Sequence, residues 1–338
     1  MDEIFRMVFN QQGEASEPNE VKPQKPPKSM PVRILISLAV TLVFAAVYFY
    51  VSLPAINIHA PEFYWFLFLI LAVFSACMMI LGGFRAGTPG EYIGYLRKQL
   101  KIPFILICLL IAVVVIGSVS GMVIFRTKAY SSLLQLETGS FTEEVAEINY
   151  NQIPMLDSQS ANNLTNRKLG ELSDLVSQFT VNPESAQINY NDVPVRVSYL
   201  NYDNFFKWLT NRSEGIPAYL YVNMVTQEVT VKRLEEGIKI SPSEYLNRDL
   251  MRYLRFRYPT KMFTDVNFEI DEEGTPYWIG SVTTRKIGLF GGRDVIGAVL
   301  LNAVTGESTY YPIEEVPQWV DRVFLAELVI EQYDYRGR

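Results

Sequence analysis

The chain has 338 residues, of which 49% are hydrophobic, and it carries a formal net charge of −6. Residues 1–126 hold 10 Lys or Arg against 7 Asp or Glu, whereas residues 127–338 hold 20 against 29. The acidic second part argues against nucleic acid as a partner, because phosphate binding needs a positive face.

Residues 127–338 contain neither cysteine nor histidine, since Cys77, Cys108 and His59 all precede them. This excludes a disulfide framework, the usual zinc ligand sets and Ser-His or Cys-His nucleophile pairs from that region. We therefore predict no catalytic, cofactor-binding or metal-binding residue there, and no cofactor.

The first 31 residues are rich in Glu, Lys, Pro and Gln. Such a segment cannot bury enough apolar surface to order itself, so residues 1–31 are predicted to form a disordered cytoplasmic tail. Within it, Ile4–Phe9 is a candidate for a short interfacial helix.

Three apolar runs follow, and they predict transmembrane α-helices over about 33–53, 63–83 and 102–125. Each run is about 20 residues or longer, which is enough to cross a hydrocarbon layer of ~30 Å. Residues 32–126 are thus predicted to be a three-helix membrane anchor. The interiors of the runs lack charged residues, which argues against a transporter or channel.

The charges that flank the runs predict the orientation. The tail and the loop between the second and third runs carry eight basic residues, namely Lys22, Lys25, Lys28, Arg33, Arg85, Arg97, Lys98 and Lys101. The turn Asn57–Pro61 carries no basic residue. Arg126 and Lys128 would lie on the outer side, but they are two residues against the eight on the inner side. A cytoplasmic N-terminus and an extracytoplasmic domain over residues 127–338 are therefore predicted, in a multi-pass protein of the cell membrane.

Two features near the third run have open interpretations. Residues 91–100 are either a helix on the inner membrane surface or an N-terminal extension of the third span. Gly117 and Gly121 have the G-x-x-x-G spacing of closely packed helices. We expect them to pack inside the three-helix group rather than to form a homodimer seam.

The domain after residue 127 is predicted to be α+β. Apolar periodicity predicts helices over 166–179 and 243–258, with an additional helix over 203–212. Alternating strands with glycine-containing turns at Asp271–Gly274 and Gly291–Gly292 predict antiparallel hairpins.

An internal repeat links Asn223–Glu228 with Asn302–Glu307, at an offset of 79 residues. Each segment lies between β-rich runs and follows a predicted helix. The pattern predicts two related helix-and-antiparallel-strand units, over about 150–236 and 241–314.

This helix-then-hairpin arrangement, with a strand ending in the motif Asn/Asp-x-x-Thr-Gly-Glu, resembles the PepSY type of extracytoplasmic module over 166–234 and 243–312. Gln227 departs from the glycine usual at its position in that motif. The whole chain also resembles a group of uncharacterised membrane proteins of Gram-positive bacteria with two or three N-terminal helices and such a domain. The resemblance implies a peptide-, peptidase- or partner-binding module, and it carries over no catalytic residues.

Four groups of residues have compositions that could support catalysis or ligand binding. The acidic cluster Glu269, Asp271, Glu272 and Glu273 is expected to be a solvated hairpin tip rather than a catalytic or calcium site. The stretch Gly288–Arg293 lacks the Lys-Ser/Thr of a P-loop and is expected to be a loop between strands. Two further sets have two interpretations each. One set forms either a solvated face or a basic stripe for wall polymers or lipid phosphate, and it consists of Arg248, Arg252, Arg255 and Arg257. The other set forms either part of the core or a peptide groove, and it consists of Trp208, Trp278 and Trp319.

The sequence favours a non-catalytic, membrane-anchored extracytoplasmic binding or scaffold protein of the cell envelope. Its expected partners are membrane lipid and an envelope protein or peptide, for which an exposed strand edge near Ser308–Tyr311 is suited. The alternatives are a carboxylate-dependent envelope hydrolase and an accessory subunit of a membrane complex. The end from Phe324 onward has the pattern of a strand or helix in progress, as in a shortened form of a longer protein.

Overall fold

The computed structural model describes residues 29–82, 94, 100–134, 139–144 and 150–336. Three long apolar helices open the described part, namely α1 (Met30–Ser52), α2 (Pro61–Leu81) and α3 (Lys101–Ser120). All three are long and apolar enough to cross a membrane, with mean hydropathies of 2.5, 2.4 and 3.1. The three predicted apolar helices are confirmed, whereas the predictions for Ile4–Phe9, most of the tail and nearly all of residues 91–100 lie outside the described residues.

The third apolar helix is shorter than predicted, because it ends at Ser120 rather than near residue 125. Met122 is extended, with φ −67° and ψ 138°, and a separate helix α4 (Val123–Ser131) starts after it. The Tyr130 hydroxyl donates a hydrogen bond to the main-chain carbonyl of Gly121, which fixes α4 against the end of α3.

Three helices precede the first sheet, namely α5 (Phe141–Glu144), α6 (Ser158–Gly170) and α7 (Ser173–Val176). The single helix predicted over 166–179 is therefore wrong. Asp157 caps α6 by accepting from the Ser160 N–H, so the helix starts earlier. Leu172, with φ −105° and ψ 91°, breaks the helical path.

The first sheet has five antiparallel strands, namely β1 (Phe179–Val181), β2 (Ala186–Tyr190), β3 (Val193–Tyr202), β4 (Ile216–Asn223) and β5 (Val229–Ile238). Strands β1 and β2 pair with successive parts of β3, which is followed across the sheet by β4 and β5. Helix α8 (Phe205–Asn211) lies between β3 and β4 in the chain and confirms the helix predicted over 203–212.

The second sheet follows helix α9 (Leu250–Arg257) and is an antiparallel meander of β6 (Met262–Ile270), β7 (Pro276–Ile287), β8 (Gly291–Asn302) and β9 (Ser308–Pro312). Helix α9 begins seven residues after the predicted start, because a 3₁₀ turn occupies Leu246–Arg248 and Asp249 caps the helix. The hairpin at Asp271–Gly274 is confirmed, with Gly274 at φ 83°. Gly291 pairs with Ile287 in the ladder, so the second turn lies at 288–290, just before the predicted position.

The two sheets share one core. The Tyr199 ring of β3 packs against both Phe268 of β6 and Trp278 of β7, with centroid distances of 5.4 and 4.8 Å. Trp278 is 1% exposed and donates from Nε1 to the Ile240 carbonyl at 2.8 Å. Because these contacts cross between the sheets, residues 150–336 pack as one α+β domain.

The end of the chain covers the opposite face of the second sheet. After a 3₁₀ turn at Ile313–Glu315, helix α10 (Ala326–Arg336) completes the described part. Val323 and Leu328 pack against Ile279 and Leu300 in a second apolar cluster. The end from Phe324 is thus mostly a helix.

The turns that carry the repeated motif have the same hydrogen bonds. In each, the Asn side-chain oxygen accepts from the N–H groups two and three residues later, at 2.9–3.0 Å. The Asn N–H donates to the carbonyl of the Glu five residues on, at 3.0 Å for Asn223 and 2.9 Å for Asn302. Gln227 and Gly306 take the same position at φ 62° and 79°.

The residue after each of these asparagines also has a corresponding partner. The carbonyl of Met224 accepts from Met155, in the segment before α6, at 3.0 Å. The carbonyl of Ala303 accepts from Lys239 and Ile240, in the segment before α9, at 3.0 and 3.2 Å. Each turn is therefore tied to the segment that leads into the helix of its own half.

Candidate functional site at the junction of the helices and the α+β domain

Two arginines of α9 hold the end of α1. Arg252 donates from Nε to the Tyr50 carbonyl at 3.1 Å, and Arg255 donates from Nε to the Leu53 carbonyl at 2.9 Å. The last carbonyls of a helix lack partners within the helix, and cations are favourable at that end. Arg255 is only 5% exposed, so α9 caps α1 through a buried contact.

The other two arginines predicted on this segment also contact main-chain carbonyls. Arg257 donates to the Gly306 carbonyl at 2.6 Å, and Arg248 donates to the Arg212 carbonyl. All four predicted arginines thus bind main-chain carbonyls of this chain. Only Arg255 is buried, whereas Arg257 is exposed, so the four side chains do not form one uniformly solvated face.

The turn between α1 and α2 adds further contacts to the α+β domain. The Ile56 N–H donates to the Pro259 carbonyl at 2.7 Å, and the Asn57 amide donates to the Thr260 carbonyl at 2.9 Å. Ala55 is completely buried. The domain therefore lies at the same end of the helices as this turn.

The glycine-rich turn between β7 and β8 binds the end of α3. A Cβ placed on Gly117 would lie 2.5 Å from Leu289 Cδ2, so a larger residue at this position would displace that leucine. The Leu289 carbonyl lies 2.8 Å from His59 Nδ1. The prediction that Gly117 and Gly121 pack inside the helix group is wrong, because both face the turn that holds Leu289 and Gly291.

A cleft of about 420 Å³ opens beside the end of α1. Its lining combines residues of α1, the start of α8 and the 242–252 segment, namely Tyr50, Tyr202, Asn204, Pro242, Ser243, Glu244, Tyr245, Leu246, Asp249 and Arg252. No local sequence pattern indicates this cleft, because its wall joins Tyr50 with residues 202–252.

Glu244 forms the buried part of that wall. It is 3% exposed and accepts hydrogen bonds from the Tyr202 hydroxyl at 2.9 Å and from Trp208 Nε1 at 2.7 Å. Burial raises the pKa of Glu244, whereas the two hydrogen bonds oppose that rise. Both carboxylate oxygens of Glu244 accept hydrogen bonds, which is consistent with a structural role. The carboxyl group nevertheless lies at the edge of the cleft.

The acidic cluster divides into two parts, and the expectation of one solvated tip is wrong for Glu269. That side chain is completely buried and accepts from the N–H groups of Asp321 and Arg322, both at 2.9 Å. Burial raises the pKa of Glu269 to about 7. Strand alternation places Phe268 and Ile270 in the shared core and Glu269 on the other face, where the C-terminal segment covers it.

The rest of the cluster forms the hairpin tip as predicted. Asp271 Oδ1 accepts from the N–H groups of Glu273 and Thr275, at 3.1 and 2.7 Å. Glu272 and Glu273 are exposed. Among the described residues, no group of three or more His, Cys, Asp or Glu side chains is arranged to hold a metal ion.

The three tryptophans lie in three separate aromatic contacts. Trp208 packs against Tyr245 at 4.7 Å, Trp278 against Tyr199, and Trp319 against Tyr277 at 5.2 Å. They serve as core and as local support, and they do not line a shared groove.

A second cavity, of about 500 Å³, lies between α2 and α3 under Phe290. Its lining is almost entirely apolar and includes Trp65, Phe68, Ile111 and Val115.

Comparison with protein-family models, curated protein sequences and solved structures finds no match for this chain.

Proposed function

We propose that this protein is a membrane-anchored, extracytoplasmic binding or scaffold protein of the cell envelope. The observation that supports this proposal is the direct attachment of the α+β domain to α1, to the 53–60 turn and to α3. Such an attachment holds a binding domain at a fixed height and orientation on a bilayer. A flexible tether would not need buried contacts such as Arg255 to Leu53.

The binding edge in this proposal is strand β9. Asn302 and Glu307 form a hydrogen-bonded pair at the turn, so alternation directs the main-chain groups of Thr309 and Tyr311 toward β8 and those of Ser308 and Tyr310 away from it. Within the described part of the chain, no hydrogen bond engages the Ser308 or Tyr310 main chain on that outer side. An extended peptide could therefore add to the sheet there.

The PepSY-like resemblance is part of the proposal. The identical hydrogen bonds of the Asn223 and Asn302 turns support an origin of the two halves from one duplicated unit. In each half a helix precedes an antiparallel sheet, which also supports it.

Sidedness is tested by cysteine labelling in intact cells. A variant that lacks Cys77 and Cys108 and carries a single cysteine at Glu272, an exposed tip position, is treated with a membrane-impermeant maleimide. Labelling before lysis supports the extracytoplasmic location, and labelling only after lysis contradicts it.

Peptide addition at β9 is tested by the pair Ser308→Pro and Ser308→Ala. Both remove the hydroxyl that contacts Tyr258, but only proline removes the outward N–H. A partner isolated with the wild-type protein in mild detergent should be retained by Ser308→Ala and lost with Ser308→Pro. Equal retention by both variants would contradict binding at this edge.

A carboxylate-dependent hydrolase is the second candidate, because Glu244 lies in the wall of a cleft and has a raised pKa. Purified wild-type protein and Glu244→Gln are compared on envelope polymers and peptides. Hydrolysis by the wild type that Glu244→Gln abolishes would favour this candidate. Glu272→Gln at the exposed tip is the matched control.

The accessory-subunit alternative has support from the apolar cavity between α2 and α3, which is a suitable surface for a helix of another membrane protein. Val115→Trp would fill that cavity. Loss of a co-purifying membrane protein in this variant, with retention in Ser308→Pro, would favour the subunit alternative over the strand-edge proposal.

A further inference from the structure

The α+β domain exposes a band of large apolar side chains beside the end of α1. We call it the apolar rim, and it consists of Phe205, Phe206, Leu209, Tyr245, Leu246, Met251 and Phe256. Phe206 is 75% exposed and Leu246 is 61% exposed. Contiguous apolar surface of this kind marks an interaction site, whereas single exposed apolar residues do not.

The rim is continuous with the last turn of α1. The Phe256 ring lies 5.4 Å from Phe49 and 6.1 Å from Tyr50. The Tyr50 hydroxyl lies 3.5 Å from Asn247 Oδ1, next to Leu246. One end of the rim is therefore level with the end of an apolar helix of 23 residues.

Aromatic contacts carry the rim away from α1. The rings of Tyr245 and Phe205 are 5.3 Å apart, and those of Phe205 and Phe206 are 5.9 Å apart. The base of this arrangement is rigid, because Trp208 packs on Tyr245 and is bonded to the buried Glu244. Part of the rim thus rests on a buried, hydrogen-bonded base.

Basic groups lie around the rim. Lys207 follows Phe206, Arg212 covers the Trp208 ring at 5.6 Å, and the Arg252 guanidinium lies 4.4 Å from the Tyr50 ring centroid. Apolar side chains flanked by Lys and Arg are typical of surfaces that sit in the headgroup region of a bilayer.

We infer that the apolar rim is immersed in the lipid headgroup and upper acyl region, so that the domain contacts the bilayer directly as well as through its helices. The occupant is lipid rather than another protein, because the rim starts at the depth where α1 leaves its apolar stretch. This inference does not depend on which side of the membrane the domain occupies, nor on the partner at β9.

The test uses the full chain in nanodiscs of phosphatidylcholine, with and without phosphatidylglycerol. Nitroxide labels are placed singly at Phe206→Cys and Leu246→Cys in a background with Cys77 and Cys108 replaced by serine. Collision with oxygen, which concentrates in lipid, is compared with collision with a water-soluble nickel chelate. Leu109→Cys, on an exposed face of α3, and Glu272→Cys, at the hairpin tip, give the lipid and water references.

We expect an oxygen-to-nickel ratio at both rim positions that is several-fold above that at Glu272→Cys and near that at Leu109→Cys. A ratio equal to the Glu272→Cys reference would show a rim in water and overturn the inference. Low collision with both reagents would show a rim covered by a second copy or another protein, and would also overturn it. Failure of the β9 experiment would leave these ratios unchanged.

Discussion

Arg255 donates from Nε to the main-chain carbonyl of Leu53 at 2.9 Å, and thereby joins two residues that are 202 positions apart in the chain. The same guanidinium donates to the Lys261 carbonyl at 2.6 Å. One buried side chain therefore fixes the end of an apolar helix to the start of the second sheet.

Arg255→Met should lower the free energy of unfolding by about 2 kcal/mol, because it leaves buried carbonyls without donors while keeping the side-chain volume. Chemical denaturation in detergent, followed by tryptophan fluorescence, measures the change. The control is Arg233→Met, whose side chain is 53% exposed and forms a surface ion pair with Asp174. That control should stay within about 0.5 kcal/mol of wild type, and an equal loss in both variants would contradict the capping role.

The free energy of unfolding should fall as the pH rises from the pKa of Glu269 in the unfolded state to its pKa in the folded state. Its folded pKa is about 7 against an ordinary value of 4.5, so the folded state binds the proton more tightly than the unfolded state. The contribution is fully present below about pH 4.5 and is lost by about pH 8, with a maximum of about 3 kcal/mol. Denaturation midpoints across this range measure it.

Glu269→Gln should flatten that pH dependence, because glutamine does not titrate. Its amide N–H₂ would also face an N–H donor of Asp321 or Arg322, so the slope against pH, rather than the absolute stability, is the informative readout. Glu272→Gln at the exposed tip should keep the wild-type slope. An unchanged slope in Glu269→Gln would assign the pH dependence to another group.

Gly291→Ala should loosen the domain from α3. A Cβ at this position would lie 2.6 Å from the Gly121 carbonyl oxygen and 2.8 Å from the Ile287 carbonyl oxygen, and main-chain atoms cannot rotate away. We expect a loss of about 1–3 kcal/mol in the free energy of unfolding. In the control Gly170→Ala, nothing lies within 4 Å of the new Cβ in helix α6, so stability should stay the same or rise slightly. A neutral Gly291→Ala would show that the turn can move away from α3.

Gln227→Gly should stabilise the domain by about 0.5–1 kcal/mol. Gln227 holds φ 62°, a left-handed conformation that costs energy for residues with a Cβ. The reverse change at the matching position, Gly306→Gln, should destabilise the domain, because a Cβ there would meet the Tyr253 hydroxyl. Denaturation of the two variants in parallel tests both signs, and a destabilised Gln227→Gly would show that the Gln227 side chain makes a compensating contact.

Local pattern was sufficient for several elements. The three apolar runs predicted α1, α2 and α3 because length and absence of charge define such helices without reference to other segments. The motif at Asn223 and Asn302 predicted matching turns because their hydrogen bonds lie within six consecutive residues. Helix boundaries were less accurate. Asp157 caps α6 nine residues before the predicted start of that helix, and Asp249 caps α9 from inside the predicted range 243–258.

The sequence by itself determined the apolar helices, the α+β class and the absence of histidine and cysteine chemistry from residues 127–338. Only the tertiary structure decided what Arg255, Glu269 and Gly117 do. The role of a charged or small residue depends on its partner, and tertiary packing determines that partner. Arg255 binds Leu53 and Gly117 contacts Leu289, each from a distant part of the chain. Residues 321–322 cover Glu269 from more than 50 residues away. Contacts between distant segments carry no local periodicity, and the junction between the helices and the domain is built almost entirely from such contacts.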